Sequence, residues 1–528
     1  METKRIAVIG AGVCGLVSIK SCLEEGLHPV CYEQNNDIGG VWVYSEALRP
    51  NQGSAVYECL VTNSSKEMTC FSDFPMPRKT PPYVPHATYL QYLRDYAQHF
   101  TLYPYINFNT TVVSVSKAED YATTGRWEVR TRNNDTGQEN VVIFDGVMVC
   151  SGMFKDATIP DYPGLDEFEG ITMHSNAFRS GSKFTDKNVL VVGGAHSAGD
   201  ISVDSSRFAS QVYLSMRNGT WVIPRLGFGG IPSDMMGNTR FVSKLPAAIR
   251  EFMVTNLASS KVNHDKAGLQ SKAKSFFKGC QMVNDEIGSR IYCGKIQAKP
   301  AITRFTKSGA EFEDGSRVED IDVVIFATGY HLGYKFIDNS IIADSHKDLE
   351  LYEYVFPARL KHCTLAVVGC VAILGANVPV YELQARWAAR VFSGKAKLPG
   401  PTQRVLEVRR RQKQTLEDYG RYKTYVPPVP LQEYYAKQIG AQPRILSLLL
   451  SDPKLAFKCL FGPAYPTTYR LHGPGSWHGA KKSIEEAWDN VISSIRTRSV
   501  AKEKHSNSII LKLFIVFTLV LVIVMHWI

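Results

Sequence analysis

Two stretches of the chain share one pattern of apolar and polar positions. Residues 4–33 run from the apolar segment IAVI through a glycine-rich turn and a mixed stretch to a second apolar run that ends at Glu33. Residues 187–217 repeat this plan, with the apolar segment VLVV at its start and Arg217 at its end. Short apolar runs bounded by glycine are typical of buried parallel strands. Both stretches are therefore predicted to form a strand, a turn, a helix and a second strand.

The C-terminal segment has a different pattern. Residues 509–528 are apolar almost throughout, and Thr518 is the one polar residue between Leu513 and Met525. A helix of about 20 residues spans about 30 Å, the thickness of a bilayer core. Lys512 can reach the interface, and basic residues precede the segment on the expected cytoplasmic side. This predicts a transmembrane tail anchor, because a buried C-terminal helix would keep a polar face.

The glycines of the first turn have the spacing of a dinucleotide-binding site. Gly10 permits the tight turn, Gly12 lets the backbone approach a pyrophosphate, and Gly15 lets helix and strand pack closely. Glu33, at the end of the second strand, is placed to accept hydrogen bonds from ribose hydroxyls and disfavours a 2′-phosphate. The first site is therefore predicted to hold FAD or NAD rather than NADP.

Length, composition and charge fit a large globular enzyme. The chain has 528 residues, of which 44% are hydrophobic and 21% charged, and its formal net charge is +10. The basic residues form no continuous stripe, so a nucleic-acid partner is not expected. The 11 cysteines show no C-x-x-C, which argues against a zinc site and a disulfide framework and indicates a reducing compartment. No C-x-x-x-x-C follows the first turn, which argues against a redox cysteine pair. The N-terminus enters a strand at once, without the apolar stretch of a signal peptide.

Five further segments follow one another in a recognisable order. The first is NNDIGGVWVYS, which contains Gly40 and Trp42, and the others are LVTNSSKEMTCFSDFPMP (60–77), FEGITMHSNAF (168–178), FATGY (326–330) and LQARWAA (383–389). Together these segments resemble the flavin-containing monooxygenase family, the microsomal class B flavoprotein monooxygenases. The resemblance covers nearly the whole chain.

The resemblance implies an α/β fold with two Rossmann-like dinucleotide-binding domains, in which the NADPH domain is inserted into the FAD domain, and a C-terminal transmembrane helix. The expected divisions are 1–153 (FAD domain, first part), 154–331 (NADPH domain, with a helical insertion at about 220–300), 332–443 (FAD domain, second part), 444–508 (a region leading to the anchor) and 509–528 (the anchor). The insertion could serve as a substrate path, a membrane contact or a packing subdomain. The basic stretch 403–423 is expected to be a solvated helix face, with a membrane-facing role as the alternative.

The same resemblance implies the chemistry. NADPH reduces FAD, the reduced flavin adds dioxygen at C(4a), and the resulting hydroperoxide gives one oxygen atom to a soft nitrogen or sulfur nucleophile of a lipophilic small molecule, a reaction of xenobiotic metabolism. Asn63 matches the family's asparagine beside the flavin, and its amide can donate to the peroxide without titrating. A structural Asx turn is the alternative role of Asn63. Baeyer–Villiger oxygenation of ketones and an uncoupled oxidase that releases hydrogen peroxide remain alternative functions.

The second turn is predicted to bind NADPH, although two of its three glycines are replaced. Ala195 carries a methyl group where the backbone should approach a pyrophosphate, and the neighbouring Gly194 could let the turn shift. The alternative is a degenerate turn that serves only as scaffold. The remaining residues assigned to cofactor binding are Gly193, Ser197, Ala198, Ser215, Arg217, Arg225, Thr62 and, by resemblance, Gln384. Guanidinium groups at Arg217 and Arg225 suit a 2′-phosphate.

Two histidines are not assigned to catalysis. His196 is expected to be an exposed polar residue of the second turn, and His174 to link the domains with its ring satisfied by backbone. The resemblance implies dioxygen and a lipophilic small molecule as partners. Together with the predicted anchor, it also implies the endoplasmic reticulum membrane, with the catalytic domain on the cytosolic side. No metal is expected, and the sequence leaves the oligomeric state open, with a homodimer as one alternative.

Overall fold

The structure, a computed structural model, describes residues 3–49, 52–343, 349–419 and 426–498, except for the side chains of Asp418 and Tyr419. The predicted anchor at 509–528 lies outside the described residues. Within the described ranges, no helix combines the length and the apolar character needed to cross a bilayer.

The strands, in chain order, are β1 (Arg5–Ile9), β2 (His28–Tyr32), β3 (Ile106–Asn107), β4 (Thr110–Lys117), β5 (Trp127–Asn133), β6 (Glu139–Phe144), β7 (Gly146–Val149), β8 (Asp156–Ala157), β9 (Ile171–His174), β10 (Asn188–Val192), β11 (Gln211–Ser215), β12 (Trp221–Ile223), β13 (Gln281–Val283), β14 (Ile296–Lys299), β15 (Ile302–Phe305), β16 (Ala310–Phe312), β17 (Arg317–Val318), β18 (Val323–Phe326), β19 (Tyr330–His331), β20 (Leu351–Tyr352), β21 (Phe356–Pro357) and β22 (Leu365–Val367).

The helices, in chain order, are α1 (Val13–Glu24), α2 (Lys66–Thr69), α3 (His86–His99), α4 (Tyr121–Thr124), α5 (His196–Ser205), α6 (Ser233–Gly237), α7 (Arg240–Lys244), α8 (Ala247–Ser259), α9 (Ile287–Tyr292), α10 (Val378–Phe392), α11 (Pro401–Tyr419), α12 (Pro428–Ile439), α13 (Ile445–Ser451), α14 (Pro453–Phe461) and α15 (Ala480–Ser493). Short 3₁₀ turns are also present, among them Gly40–Trp42 and Pro466–Arg470.

The first of two parallel sheets has the strand order β22-β7-β1-β2-β3. Because side chains alternate along a strand, β1 supplies both faces of the core. Ile6 and Val8 pack into the cluster that contains α1 and α10, whereas Ala7 and Ile9 face the cluster built on the antiparallel sheet β4-β5-β6. Burial on both faces explains why this strand is a continuous apolar run in the sequence.

The second parallel sheet has the order β14-β11-β10-β18-β9. Its strand β10 again divides its side chains between two clusters. Val189 and Val191 pack with α5, and Leu190 and Val192 pack with the small antiparallel sheet β15-β16-β17. The predicted α/β class with two Rossmann-type sheets is therefore confirmed.

The second sheet is formed by residues that lie in the chain between two adjacent strands of the first. Strand β7 ends at Val149, the second sheet uses residues from 171 to 326, and β22 then pairs in parallel with β7. The two chain segments that connect the units are themselves paired, because β8 and β19 run antiparallel with Ala157 opposite Tyr330.

The segment at 220–300 is only partly the helical insertion that the sequence predicts. Helices α6 to α9 lie within it, but β12 and β13 pair in parallel, and β14 is an edge strand of the second sheet. The segment therefore ends as part of that sheet rather than as a separate helical unit. Strands of three or four residues are too short to give a clear alternating pattern, which explains why they were not predicted.

The C-terminal region is attached to the first unit through a buried ion cluster. Arg470, which is 1% exposed, lies 3.0 Å from Asp73, 2.8 Å from Glu382 and 3.4 Å from Glu24. Its Nε also donates to Ser72 Oγ at 2.6 Å. The four acceptors come from three separate stretches of the first unit, so one guanidinium group joins them.

Candidate active site

The first glycine turn connects β1 to α1 and forms an open cradle. Gly10 has φ +96°, in the left-handed region that favours glycine. A Cβ at Gly15 would lie 1.9 Å from the carbonyl oxygen of Gly10, so a side chain there is excluded. Gly12 is the N-cap residue before α1 and faces Gly40, since a Cβ at Gly12 would come within 3.6 Å of the Gly40 Cα. Two bare backbone segments and a helix N-terminus therefore face one space, which fits a pyrophosphate.

Glu33 lies beside this turn, as predicted. It is buried at the end of β2, and its Oε2 accepts a hydrogen bond from the N–H of Ala11 at 2.8 Å. Its Oε1 accepts from both nitrogens of Asn35. Trp42 packs on the ring of Tyr89, with centroids 4.3 Å apart. Glu33 is therefore held at the dinucleotide turn.

The second turn, like the first, has a glycine with positive φ after the strand and an extended residue before the helix. Gly193 has φ +146°, and a Cβ there would lie 2.5 Å from the carbonyl oxygen of Ala327. Ala195 precedes α5 with φ −98° and ψ −170°, close to the φ −74° and ψ −168° of Gly12 before α1. An alanine adopts this extended conformation without strain. The replacement of glycine by Ala195 therefore leaves the extended backbone conformation before the helix in place.

The prediction that His196 is an exposed turn residue is wrong. His196 is the first residue of α5 and is half-buried, and its Nδ1 accepts the N–H of Val283 at 2.9 Å. Burial, with a smaller effect of the charge on Arg225, lowers the pKa of His196 to about 4. The imidazole is therefore neutral near pH 7 and joins α5 to the strand β13.

The residues around the end of β11 differ in their availability for a ligand. Ser215 is buried, and its hydroxyl donates to the carbonyl oxygen of Pro300 at 2.7 Å. Arg217 follows the strand and is exposed. In α5, Ser197 is exposed, whereas Ala198 is fully buried against the second sheet. Arg217 is therefore the basic side chain that the strand end presents to solvent.

Arg225 joins the second unit to the predicted catalytic residue. Its Nη2 donates to Asn63 Oδ1 at 2.8 Å, and its Nε donates to the carbonyl oxygen of Thr62 at 3.3 Å. Asp285 binds the opposite side of the guanidinium at 3.1 Å and accepts the Arg225 N–H at 2.8 Å. Because its oxygen accepts from Arg225, the Asn63 amide directs its NH₂ group away from the guanidinium. The hydrogen bond at Oδ1 therefore comes from another element rather than from an Asx turn.

Thr62 shapes the loop that carries Asn63. Its hydroxyl donates to the carbonyl oxygen of Ser64 at 2.9 Å and accepts the N–H of Val84 at 2.9 Å. Its own N–H donates to the Val84 carbonyl oxygen. The buried hydroxyl is thus used by the protein itself, and Thr62 supports the loop.

Gln384 lies in a different part of the fold from the arginines with which the sequence grouped it. It is fully buried on α10, where its Oε1 accepts the N–H of Gly369 at 2.9 Å and its Nε2 donates to Tyr435 Oη at 3.1 Å. Helix α10 packs against α1, which encloses this amide within the first unit. The structure therefore brings Asn63 and Arg225 together but directs Gln384 to internal partners.

His174 has the character expected from the sequence. Its ring is 6% exposed, its Nδ1 accepts the N–H of Asn176 at 3.3 Å, and its Nε2 then donates to the carbonyl oxygen of Gly329 at 3.1 Å. Burial lowers its pKa below the ordinary value. The imidazole is satisfied by backbone on both sides, next to the paired connecting segments.

Sequence reasoning missed three residues around this site. Tyr83 donates its hydroxyl to the carbonyl oxygen of Arg225. Asp285 binds the Arg225 guanidinium, and Asp234 accepts both the N–H and the hydroxyl of Ser65. Isolated acidic residues in a segment of weak pattern give no signal of their own.

Comparisons with known proteins agree on one family. The profile described as flavin-binding monooxygenase-like matches residues 3–528. The chain is 41% identical to flavin-containing monooxygenase 5 of Cavia porcellus over 520 residues, which cover 97% of this chain and 96% of the relative. It is 40% identical to flavin-containing monooxygenase 2 of Homo sapiens over 520 residues, with the same coverage.

Two solved structures share the fold. The S-allyl-L-cysteine S-oxygenase of Allium sativum aligns with a TM-score of 0.65 at 23% identity, over 92% of this chain and 99% of that chain. A cyclohexanone monooxygenase variant of Rhodococcus sp. Phi1, bound to NADP⁺, aligns with a TM-score of 0.60 at 18% identity, over 86% and 98% of the two chains.

Proposed function

The chain belongs to the flavin-binding monooxygenase-like family, and we propose that Asn63, oriented by Arg225, is the catalytic residue of its NADPH-dependent oxygenation. The protein binds FAD and NADPH and oxygenates nitrogen or sulfur nucleophiles. Bound FAD, once reduced by NADPH, supplies the activation of dioxygen and the transfer of one oxygen atom to the substrate. The contribution of the protein is to bind the two nucleotides, to position one amide and to keep water out.

FAD is assigned to the first turn. The bare backbone at Gly10, Gly12, Gly15 and Gly40 leaves room for a pyrophosphate at the N-terminus of α1, and Glu33 is held where a ribose would lie. Trp42, two residues after Gly40, packs on the ring of Tyr89.

NADPH is assigned to the second turn, with Arg217 as the contact for its 2′-phosphate. The backbone match between Ala195 and Gly12 supports a turn that still receives a pyrophosphate, rather than a degenerate one. Arg217 is exposed at the strand end where a dinucleotide's ribose phosphate is expected. The domain divisions proposed with this assignment are 1–153 and 332–443 for FAD, and 154–331 for NADPH.

The observation that carries the proposal is the hydrogen bond from Arg225 to Asn63, because it fixes the direction of the amide. With Oδ1 held by Nη2 at 2.8 Å, the free group of the side chain is a pair of N–H donors. Such donors can stabilise negative charge that develops on oxygen without releasing a proton of their own. A carboxylic acid or a histidine in this place would titrate and could protonate the reacting oxygen.

The test is an assay of the purified holoenzyme with a thioether, a tertiary amine and a simple ketone. We expect oxygenated thioether and amine that depend on both NADPH and dioxygen. Conversion of the ketone to an ester in preference to either would favour the Baeyer–Villiger alternative. NADPH oxidation that yields only hydrogen peroxide with every substrate would refute the oxygenase function.

We further propose that residues 509–528 anchor the protein in the endoplasmic reticulum membrane, with the catalytic part on the cytosolic side. Exposed apolar side chains on α13 and α14 support a membrane-facing surface. Leu446 is 81% exposed, Leu450 is 91% exposed and Phe457 is 62% exposed. A chain that ends at residue 508 should lose most of its co-sedimentation with phospholipid vesicles. Undiminished binding would contradict the role of the tail.

A further inference from the structure

We propose that Asp234 is a positioning residue that fixes the catalytic loop, residues 62–69, to the NADPH-binding unit, and thereby keeps oxygen transfer coupled to NADPH oxidation. This inference rests on the function proposed for Asn63, which lies in the same loop. The Asp234 carboxylate lies outside both nucleotide turns and holds the loop while Asn63 acts.

The contact is a double hydrogen bond between two elements of different units. Asp234 lies in α6, and its Oδ2 accepts the N–H of Ser65 at 2.7 Å and the Ser65 hydroxyl at 3.1 Å. Ser65 is fully buried and precedes the short helix α2. The Asp234 carboxylate therefore caps α2 from a distant part of the chain, by accepting from both the main chain and the side chain of Ser65.

The opposite side of the loop is attached to the first unit. The Lys66 N–H donates to the carbonyl oxygen of Pro82 at 2.8 Å. The buried Lys66 ammonium donates to three carbonyl oxygens, those of Pro77, Arg78 and Thr80. The loop is thus held by main-chain acceptors on one side and by Asp234 on the other.

Asp234 and Arg225 both contact the loop, and the chain segments that carry them are joined by a hydrogen bond. The N–H of Ser233, next to Asp234, donates to the carbonyl oxygen of Arg225 at 2.8 Å. Arg225 binds Asn63, and Asp234 binds Ser65 two residues further along. A movement of the insertion relative to the first unit would therefore displace Asn63 directly. A loop released from Asp234 would hold its amide in several positions, and oxygen transfer requires one.

The charge on Asp234 makes this contact sensitive to pH. Burial raises the pKa of Asp234 to about 6, so the carboxylate is ionised at neutral pH and becomes protonated in mild acid. The titratable groups that face it are the phenols of Tyr83 and Tyr465, and the guanidinium of Arg225 lies beyond Tyr83. Glu67, which also faces Tyr465, has its pKa raised to about 7 by burial.

The experiment compares Asp234→Asn with Glu251→Gln in the FAD-loaded full-length protein. Glu251 is a matched control, because its carboxylate also accepts a backbone N–H and a serine hydroxyl, those of Phe276 and Ser275, within the same insertion but away from the loop. Two quantities are measured: product formed per NADPH oxidised, and hydrogen–deuterium exchange of peptides that cover residues 62–69. The exchange readout does not depend on catalysis.

Asp234→Asn keeps an acceptor oxygen for Ser65 but removes its negative charge. We expect product per NADPH to fall about tenfold, because hydrogen bonds to an ionised acceptor are stronger than those to a neutral one. Exchange at Ser65 should become faster, whereas Glu251→Gln should change neither quantity. Ser65→Ala should reproduce part of the loss of coupling, and Ser65→Thr, which keeps a hydroxyl, should retain coupling close to wild type. The double variant Ser65→Ala with Asp234→Asn should couple no worse than Asp234→Asn alone. Wild-type coupling should fall between pH 7 and pH 5.5, and the Asp234→Asn profile should be flatter, which separates Asp234 from Glu67.

Normal coupling in Asp234→Asn, or faster exchange without any loss of coupling, would overturn the inference. If Asp234→Asn does not fold, Ser65→Ala and Ser65→Thr still decide it, because unchanged coupling in Ser65→Ala would contradict the role of the contact. Failure of the proposed function would give a different result, because the wild-type protein would then form no oxygenated product at any pH.

Discussion

Replacement of Asn63 by aspartate is the most direct test of the proposed catalytic role, because it changes one group and leaves the shape of the side chain almost unaltered. In Asn63→Asp, the oxygen that accepts from Arg225 Nη2 at 2.8 Å is kept, and the N–H donors are lost. The guanidinium beside the new carboxylate favours its ionised form, so no proton replaces the lost donor.

The size of the effect follows from the number of donors removed. Loss of one preorganised donor that stabilises charge on oxygen typically costs about 3 kcal/mol, or roughly a hundredfold or more in rate. The two turns and Arg217, which we propose bind the nucleotides for hydride transfer, are separate from the substituted side chain. Product formation should therefore fall about a hundredfold, whereas NADPH oxidation should stay near the wild-type rate.

The assay follows three quantities in one reaction: oxygenated thioether, NADPH consumed and hydrogen peroxide released. In Asn63→Asp, the peroxide should account for nearly all of the NADPH. Asn140→Asp, which makes the same change at an exposed position of β6, serves as the control and should behave as wild type. An equal fall in NADPH oxidation and product formation would refute the reasoning, because it would place Asn63 in nucleotide binding instead.

Three further predictions address the second turn, the buried ion cluster and a neutral histidine. Arg217→Gln should raise the KM for NADPH about tenfold or more and leave that for NADH unchanged, since the lost contact is to the 2′-phosphate; exposed Arg132→Gln is the control, and an equal rise for NADH would contradict the assignment. Arg470→Met should lower the free energy of unfolding in urea by about 3–5 kcal/mol, because it removes the salt-bridge partner of the buried Glu382 and leaves Asp73 with Lys20 alone. Arg359→Met, which removes an exposed partner of Glu350, should cost less than about 1 kcal/mol, and equal losses would show that the buried cluster contributes little. In the folded state His196 has a pKa of about 4 and stays neutral, whereas in the unfolded chain it takes up a proton near pH 6.5. The free energy of unfolding therefore falls as the pH is lowered below about 6.5. Between pH 7 and pH 5 the loss due to His196 should be about 2 kcal/mol, and His196→Asn should lack this component; parallel stability curves for the two proteins would show that His196 does not carry it.

The parallel strands and the two turns could be predicted because each depends on a short stretch of sequence. A buried parallel strand is a continuous apolar run, and the turn after it requires glycine where φ is positive, as at Gly10 and Gly193. The sequence alone left open whether Ala195 damages the second turn. The structure shows that Ala195 keeps an extended backbone conformation, with φ and ψ angles close to those of Gly12.

Contacts made by isolated polar residues could not be predicted. The charge of Arg225 predicts a 2′-phosphate contact, but it does not reveal that the guanidinium also contacts Asn63, because the insertion folds back over the loop. His196 follows a turn in the sequence, but it is half-buried and accepts a hydrogen bond from Val283 of β13. Local pattern gives the element in which a residue lies, and it does not give the element that packs against that residue.

The basic helix α11 illustrates the same limit. The sequence predicts a solvated helix face at 403–423, and several of its charges are exposed. Arg404, however, is 1% exposed and donates to the carbonyl oxygens of Ala358 and Leu360. Arg411 forms an ion pair with Glu353 at 2.8 Å. A count of charges along a helix does not show which of them are used to satisfy buried carbonyl groups.

The order of strands in the first sheet has a consequence for synthesis of the protein. Strand β22 pairs with β7, but roughly two hundred residues must leave the ribosome between them, which takes about 10 to 40 s at usual elongation rates. During that interval the nascent chain carries the edge of β7 unpaired, while the whole second sheet has already emerged and can fold. The inner unit is therefore expected to fold first, and chaperones that cover exposed strand edges are expected to engage the outer one.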